Sequence, residues 1–323
     1  GSLLDAQGTA TILDDQNFLI YRGQQKNGVA GVQGLDGSWG LSLSPDGDHL
    51  YAVSETDFLV VFGRDDDTGD LTFVAAMQDG VNGIDGLDGA RDVVVSEDGS
   101  HVYVASAVDQ AVAVFERNTN ELDAGYGTLT PIQTVTNGDI QTPNTVDGLV
   151  DARRVILSPD PDGDGPEVAG THVYVVGRAE NAVGADVGSV AVFARDAGSG
   201  ELTFVEVEID GVNDDNDFGP TVAGILGATD VAISADGAHV YVTGDLADSV
   251  AVFQRDTDSS QPTLFGRLTY MESYANGVGT PAVTGLEEAS SVEVSRDGAH
   301  VYVTGRGGDG GVALFARDSD DSS

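Results

Sequence analysis

The 323-residue chain contains no cysteine, a single lysine (Lys26), a single tryptophan (Trp39) and five histidines. Without cysteine there can be no disulfide, no thiolate metal site and no cysteine nucleophile. Positive charge is scarce as well: 14 basic residues face 54 acidic ones, a net charge of −40. A charge of that size repels nucleic acid and anionic lipid, so neither is expected as a partner. No apolar run reaches the ~18 residues that a membrane-spanning helix needs, and no membrane insertion is expected.

Glycine is abundant, at 44 residues, and 40% of the chain is hydrophobic, enough to bury a core. The acidic, lysine-poor composition fits a halophilic protein, because at 1 M salt the Debye length of ~3 Å tempers self-repulsion. It equally fits an acidic secreted or cell-surface protein, the expected localisation, and the charge favours a monomer. Gly1-Ser2 reads as the remnant of a tag on a piece cut from a longer chain.

Internal repetition decides the expected fold. SPDGDHLY from Ser44, SEDGSHVY from Ser96, SADGAHVY from Ser234 and SRDGAHVY from Ser295 are copies of one motif. A fifth copy starts at Ser158 and carries an insertion before its THVY. Each copy is followed by an AVFxRD-like run, as at 190–196 and 250–256, and most by an LTFV-like run, as at 71–77 and 202–208. Val, Tyr, Phe and Thr with Gly/Asp punctuation spell four short strands per repeat, and the Asp-Gly pairs fit tight hairpin turns. Four strands in each of five repeats predict an all-β, five-bladed β-propeller of four-stranded antiparallel blades spanning residues 18–318. The last repeat stops after its third strand. Leu19-Ile20-Tyr21-Arg22, nine residues before Gly28 in the spacing of every fourth strand, is expected to pair in the last blade and close the ring. Residues 1–17 are expected to be a tag remnant and a linker or extra edge strand, and 319–323 a disordered tail.

These units resemble the YVTN-type, lactonase-like β-propeller family, whose repeats read SPDG-x-HVYV, AVFxRD and TG-x-LTFV. The resemblance covers about residues 18–318. It implies a propeller, and it includes sugar-lactone hydrolases, usually seven-bladed, among many surface or secreted proteins.

Repetition also separates architecture from residues that break their column. His49, His101, His172, His239 and His300 occupy one column, which predicts one structural histidine per blade and leaves none for catalysis or zinc. Arg64, Arg117, Arg195, Arg255 and Arg317 form a second structural column. At the start of each first strand the column varies: Trp39, Arg91, Arg153, Thr229 and Ser290, followed by Gly40, Asp92, Arg154, Asp230 and Ser291. An aromatic platform beside guanidinium groups suits a carboxylate-bearing or sugar-like ligand, so Trp39, Arg91, Asp92, Arg153, Arg154 and Asp230 are the candidate ligand site. The alternative is that the arginines neutralise Asp36, Asp88 and Asp151 while Trp39 plugs the channel.

For cofactors, Asp160, Asp162, Asp164 and Glu167 in the insertion resemble a DxDxDG loop that would hold a structural Ca2+. No haem, nucleotide or zinc is expected. The favoured function is a non-catalytic binding module for a glycan, a small anion or another protein. The first alternative is a lactonase-type hydrolase in which Asp92 or Asp230 activates water; the second is a purely architectural domain.

Overall fold

The computed structural model describes residues 21–159, 170–180, 186–213, 220–261, 263–308 and 310–317. Among them every regular element is a β-strand. The first sheet is β1 (Ser38–Leu43), β2 (His49–Ser54), β3 (Phe58–Arg64) and β4 (Leu71–Gln78). The second is β5 (Ala90–Val95), β6 (His101–Ser106), β7 (Ala111–Arg117) and β8 (Leu129–Thr136). A two-stranded hairpin, β9 (Ile140–Gln141) and β10 (Asn144–Thr145), intervenes. The third blade is β11 (Val150–Leu157), β12 (His172–Glu180), β13 (Asp186–Arg195) and β14 (Leu202–Ile209). The fourth is β15 (Ala228–Ile233), β16 (His239–Gly244), β17 (Ser249–Arg255) and β18 (Leu268–Ala275). The last sheet has three strands, β19 (Ala289–Val294), β20 (His300–Gly305) and β21 (Gly311–Ala316).

Blades stack face to face, so the core lies between them. Leu59 and Val61 of β3 meet Val93, Val104 and Phe115 of the second blade, for example. A middle strand such as β6 is buried along its whole length, which is why HVYVAS reads as a continuous apolar run rather than an alternation. The SxDG turns form as their residues dictate. Ser44 Oγ accepts the His49 amide at 3.0 Å, Asp46 accepts the Asp48 amide at 3.1 Å, and Gly47 takes φ +82°.

The two structural columns prove to be one device. Arg117 of the second blade reaches back to the first, donating from Nε to the Tyr51 hydroxyl at 2.8 Å and from Nη2 to Asp46 at 2.6 Å and His49 Nδ1 at 3.0 Å. Arg195 repeats this on Tyr103, Asp98 and His101 at 2.7, 2.8 and 2.9 Å. Arg255 clasps Tyr174 and His172, and Arg317 clasps Asp236 and His239.

The expected five-bladed closed ring is not what forms. In such a ring Arg64 would clasp Asp297, His300 and Tyr302 of the last blade. Among the described residues it bonds only Gly47 and Asp66 of its own blade. The inner strands β1, β5, β11, β15 and β19 touch in succession, whereas β19 makes no comparable contact with β1. Of the expected closing strand, Leu19 and Ile20 lie outside the described residues, and among the described residues the last sheet has three strands. Tyr21 and Arg22 lie outside any strand, and Gln25 Nε2 donates to the Leu71 carbonyl of β4, on the first blade. Residues 1–20 and 318–323 lie outside the described part.

Candidate functional site

Each inner strand begins with a register irregularity, between Ser38 and Leu41, Ala90 and Asp92, Val150 and Arg154, Ala228 and Asp230, and Ala289 and Ser291. A regular strand sends successive side chains to opposite faces; a bulge breaks that rule and lets two consecutive residues serve one surface. All ten column residues, from Trp39 and Gly40 to Ser290 and Ser291, accordingly line a single cavity of about 390 Å3 together with Arg306. The six candidate ligand residues are thus brought together.

Their roles differ. Arg154 bridges two carboxylates, Nη1 to Asp92 at 3.3 Å and Nε to Asp230 at 3.0 Å. Arg153 is neutralised by Asp151 at 2.7 Å. Arg91 stands apart: its guanidinium lies 4.7 Å from the Trp39 ring centroid, and among the described residues it has no carboxylate partner. Its Nε is buried without a hydrogen-bond acceptor. Trp39 is 58% exposed and donates from its indole to Glu55 at 3.0 Å, so it forms a wall and not a plug.

Asp92 and Asp230 are both buried, and each clips its own blade to the next. Asp92 accepts the Val155 amide at 2.9 Å; Asp230 accepts the Val292 amide at 3.0 Å and the Ser291 hydroxyl at 2.7 Å. Burial pushes the Asp92 carboxyl up to about 6, against the opposing pull of Arg154 and backbone amides.

Two features escaped the sequence reading. The residue six positions after each column histidine forms another variable column: Glu55, Ala107, Arg178, Asp245 and Arg306. Its charges set the rim, with Arg178 reaching Asp151 at 3.5 Å and Arg306 reaching Asp245 at 3.6 Å. The same column comparison would have found them. The second feature is a carboxylate group at the junction of the first two blades. Asp79, Asp85 and Asp109 bring oxygens within 4.8 Å of one another, a set able to hold a divalent cation. Nearby Asp88 is pushed up to about 6 by burial and by its bond to Asp57. Asp109 also accepts the Asp88 amide at 2.9 Å. The expected calcium loop, Asp160, Asp162, Asp164 and Glu167, lies outside the described residues.

The sequence model of the family described as lactonase, 7-bladed beta-propeller, matches residues 41–213, more than half of the chain. The chain belongs to this family. Its seven-bladed ring is a second reason to reject a five-bladed one. A search of curated proteins finds no match. Among solved structures, a Bacteroides uniformis protein described as a 6-phosphogluconolactonase shares 19% identity over 88% of this chain and 68% of its own, with a TM-score of 0.59. The Pseudomonas aeruginosa periplasmic gluconolactonase shares 21% over 87% of this chain and 66% of its own, with a TM-score of 0.56. A Lactobacillus plantarum protein shares 21% over 87% of this chain and 67% of its own, with a TM-score of 0.53. At these identities the likeness shows the fold. The chain spans about two thirds of the length of each.

Proposed function

We propose that the cavity at the inner-strand starts binds a small anionic sugar derivative and hydrolyses its lactone. The observation that carries this is Arg91, a guanidinium without a carboxylate partner among the described residues, stacked on an aromatic ring and sharing its cavity with the buried Asp92. Family membership supports the same chemistry. Deprotonated Asp92 takes a proton from water as the water oxygen bonds to the lactone carbonyl carbon. Arg91 donates to the oxyanion that develops. The ring C–O bond then breaks, the alkoxide takes the proton back from Asp92, and the resulting hydroxy acid loses its carboxyl proton to solvent, leaving a carboxylate that pairs with Arg91.

The test is acid release from gluconolactone and 6-phosphogluconolactone above the spontaneous rate. Arg91→Ala is expected to lower kcat/KM by about 10²–10³-fold. The rate should rise with pH through about 6 as Asp92 deprotonates. One observation favours a second reading, binding without turnover: Asp92 and Asp230 serve the same structural clip at two junctions. Gluconate binding that Arg91→Ala removes, with no turnover of either lactone, would establish that reading instead.

A further inference from the structure

Asp92 and Asp230 hold the same position in their repeats and make the same clip, yet they are not equally engaged. Both oxygens of Asp230 are taken twice. Its Oδ1 accepts the Val231 amide at 3.0 Å and pairs with Arg154 Nε at 3.0 Å. Its Oδ2 accepts the Ser291 hydroxyl at 2.7 Å and the Val292 amide at 3.0 Å. On Asp92, Oδ2 accepts the Val155 amide at 2.9 Å, while Oδ1 meets Arg154 Nη1 at 3.3 Å, the longer of the two ion pairs. The first blade approaches that oxygen with Gly40, where a Cβ would stand 3.1 Å from it, so a larger residue there would crowd Oδ1. The other charges around Asp92 are engaged elsewhere. On its own strand Arg91 stacks on Trp39 of β1, and Glu55 after β2 accepts the Trp39 indole. From β11, Arg153 pairs with Asp151. β6 sets Ala105 opposite Asp92, and the histidines and tyrosines of β2 and β6 belong to the clasps. Among the described residues Arg154 is therefore the one cation that reaches Asp92, and it is shared.

We infer that Arg154 is a positioning residue for the proposed hydrolysis and Asp230 its counterweight: one guanidinium divided between two carboxylates keeps Asp92 oriented and able to act as a base. A guanidinium given wholly to Asp92 would make that carboxylate too weak a base, and none at all would leave a buried carboxyl holding its proton at neutral pH. Division lies between the two. The planar fork of an arginine can serve two partners at once from Nη1 and Nε, as it does here. Arg154 acts through Asp92 and takes no part in bond making. The inference rests on the hydrolytic reading for what Asp92 does, but not for how Asp92 is held.

Titration of the Asp92 carboxyl carbon by NMR in the full chain decides it, with the resonance assigned by its loss in Asp92→Asn. The wild-type midpoint is expected at about 6. Arg154→Gln should raise it by at least about one unit. Asp230→Asn, which keeps an acceptor for the Val292 amide but frees Arg154 for Asp92, should move it the other way. Arg154→Lys, which keeps the positive charge, should bring the midpoint back towards the wild-type value. The pH profile of kcat/KM for the two lactones should follow the same midpoints. A one-unit rise makes Arg154→Gln about fivefold slower than wild type at the wild-type midpoint, with the difference closing two units above it. Unmoved midpoints in folded Arg154→Gln and Asp230→Asn overturn the inference. So do shifts in the same direction, which would mean that both changes merely loosen the blade junctions. Should Arg154→Gln fail to fold, Asp230→Asn decides alone. If the wild type turns over neither lactone, the hydrolytic reading falls, while opposite shifts would still establish the divided guanidinium.

Discussion

At the scale of single residues, the clasp arginines engage four of the five column histidines, His49, His101, His172 and His239. Arg195 has a fully buried side chain, and its three groups of partners sit on another blade. A guanidinium fork can satisfy a hydroxyl, a carboxylate and an imidazole at once, which an ammonium cannot. The fork requires its histidine to be neutral, since Nδ1 must accept. Burial and the neighbouring arginine push His49, His101 and His172 down, His172 to about 3. Between about 6.5 and 3 the unfolded chain therefore binds a proton at residue 172 that the folded chain does not, and stability falls as pH falls through that window. Asp92 and Asp88, raised to about 6, act with the opposite sign between about 3.8 and 6, because there the folded chain holds the extra protons. The useful measurement is thus a difference. The denaturation midpoint of the wild type should drop more steeply from pH 7 to pH 4 than that of His172→Gln. Parallel curves would show that His172 does not enforce the neutral form.

At the scale of elements, another column does the work of holding loops. Asn27, Asp79, Asn137, Asp210 and Asn276 accept the amides of Leu35, Leu87, Leu149, Ile225 and Leu286, at 3.0 to 3.3 Å. Four of these bonds pin an apolar loop residue into a blade junction, and the fifth holds Leu35 against the first blade's own strands. Asn137→Ala would leave the Leu149 amide buried without a partner, at a cost of about 1–3 kcal/mol. Asn137→Asp keeps the acceptor and should stay close to wild type. Amide exchange at Leu149 checks both, and an unchanged rate in Asn137→Ala would count against the pinning role. This column, the strands and the SxDG turns were legible in the sequence because each depends on residues close together and repeated five times. The gathering of Trp39, Arg91, Asp92, Arg153, Arg154 and Asp230 around one cavity was legible for the same reason. Their pairing was not. Nothing local says that Arg153 is neutralised by Asp151 while Arg91 stacks on Trp39 without a carboxylate, since the choice depends on bulges that aim two successive side chains at one surface. The Asp79–Asp85–Asp109 group was hidden likewise, because it draws on loops of two different blades.

At the scale of the whole molecule, closure was the feature the repeats could not dictate. A repeat specifies how a blade meets its neighbour, not how many neighbours complete a turn, so five copies were compatible with a ring that the unmatched Arg64 and the exposed Leu41 and Val312 rule out. Charge acts at this scale as well. A net −40 spread over one chain repels itself across distances longer than any single ion pair, and the clasps consume arginines that would otherwise offset surface carboxylates. Screening should therefore stabilise the fold. Raising sodium chloride from 0.01 M to 0.15 M shortens the Debye length from ~30 Å to ~8 Å, and 1 M brings it to ~3 Å. The thermal midpoint should climb by about 5 °C or more over this range, with much of the gain below 0.15 M, where salt acts by screening rather than by strengthening apolar burial. Sucrose, which strengthens burial without screening, separates the two effects. A midpoint that responds to sucrose but stays flat in dilute salt would mean that the arginine clasps already neutralise the charges that matter, and that the acidic surface places no load on the fold.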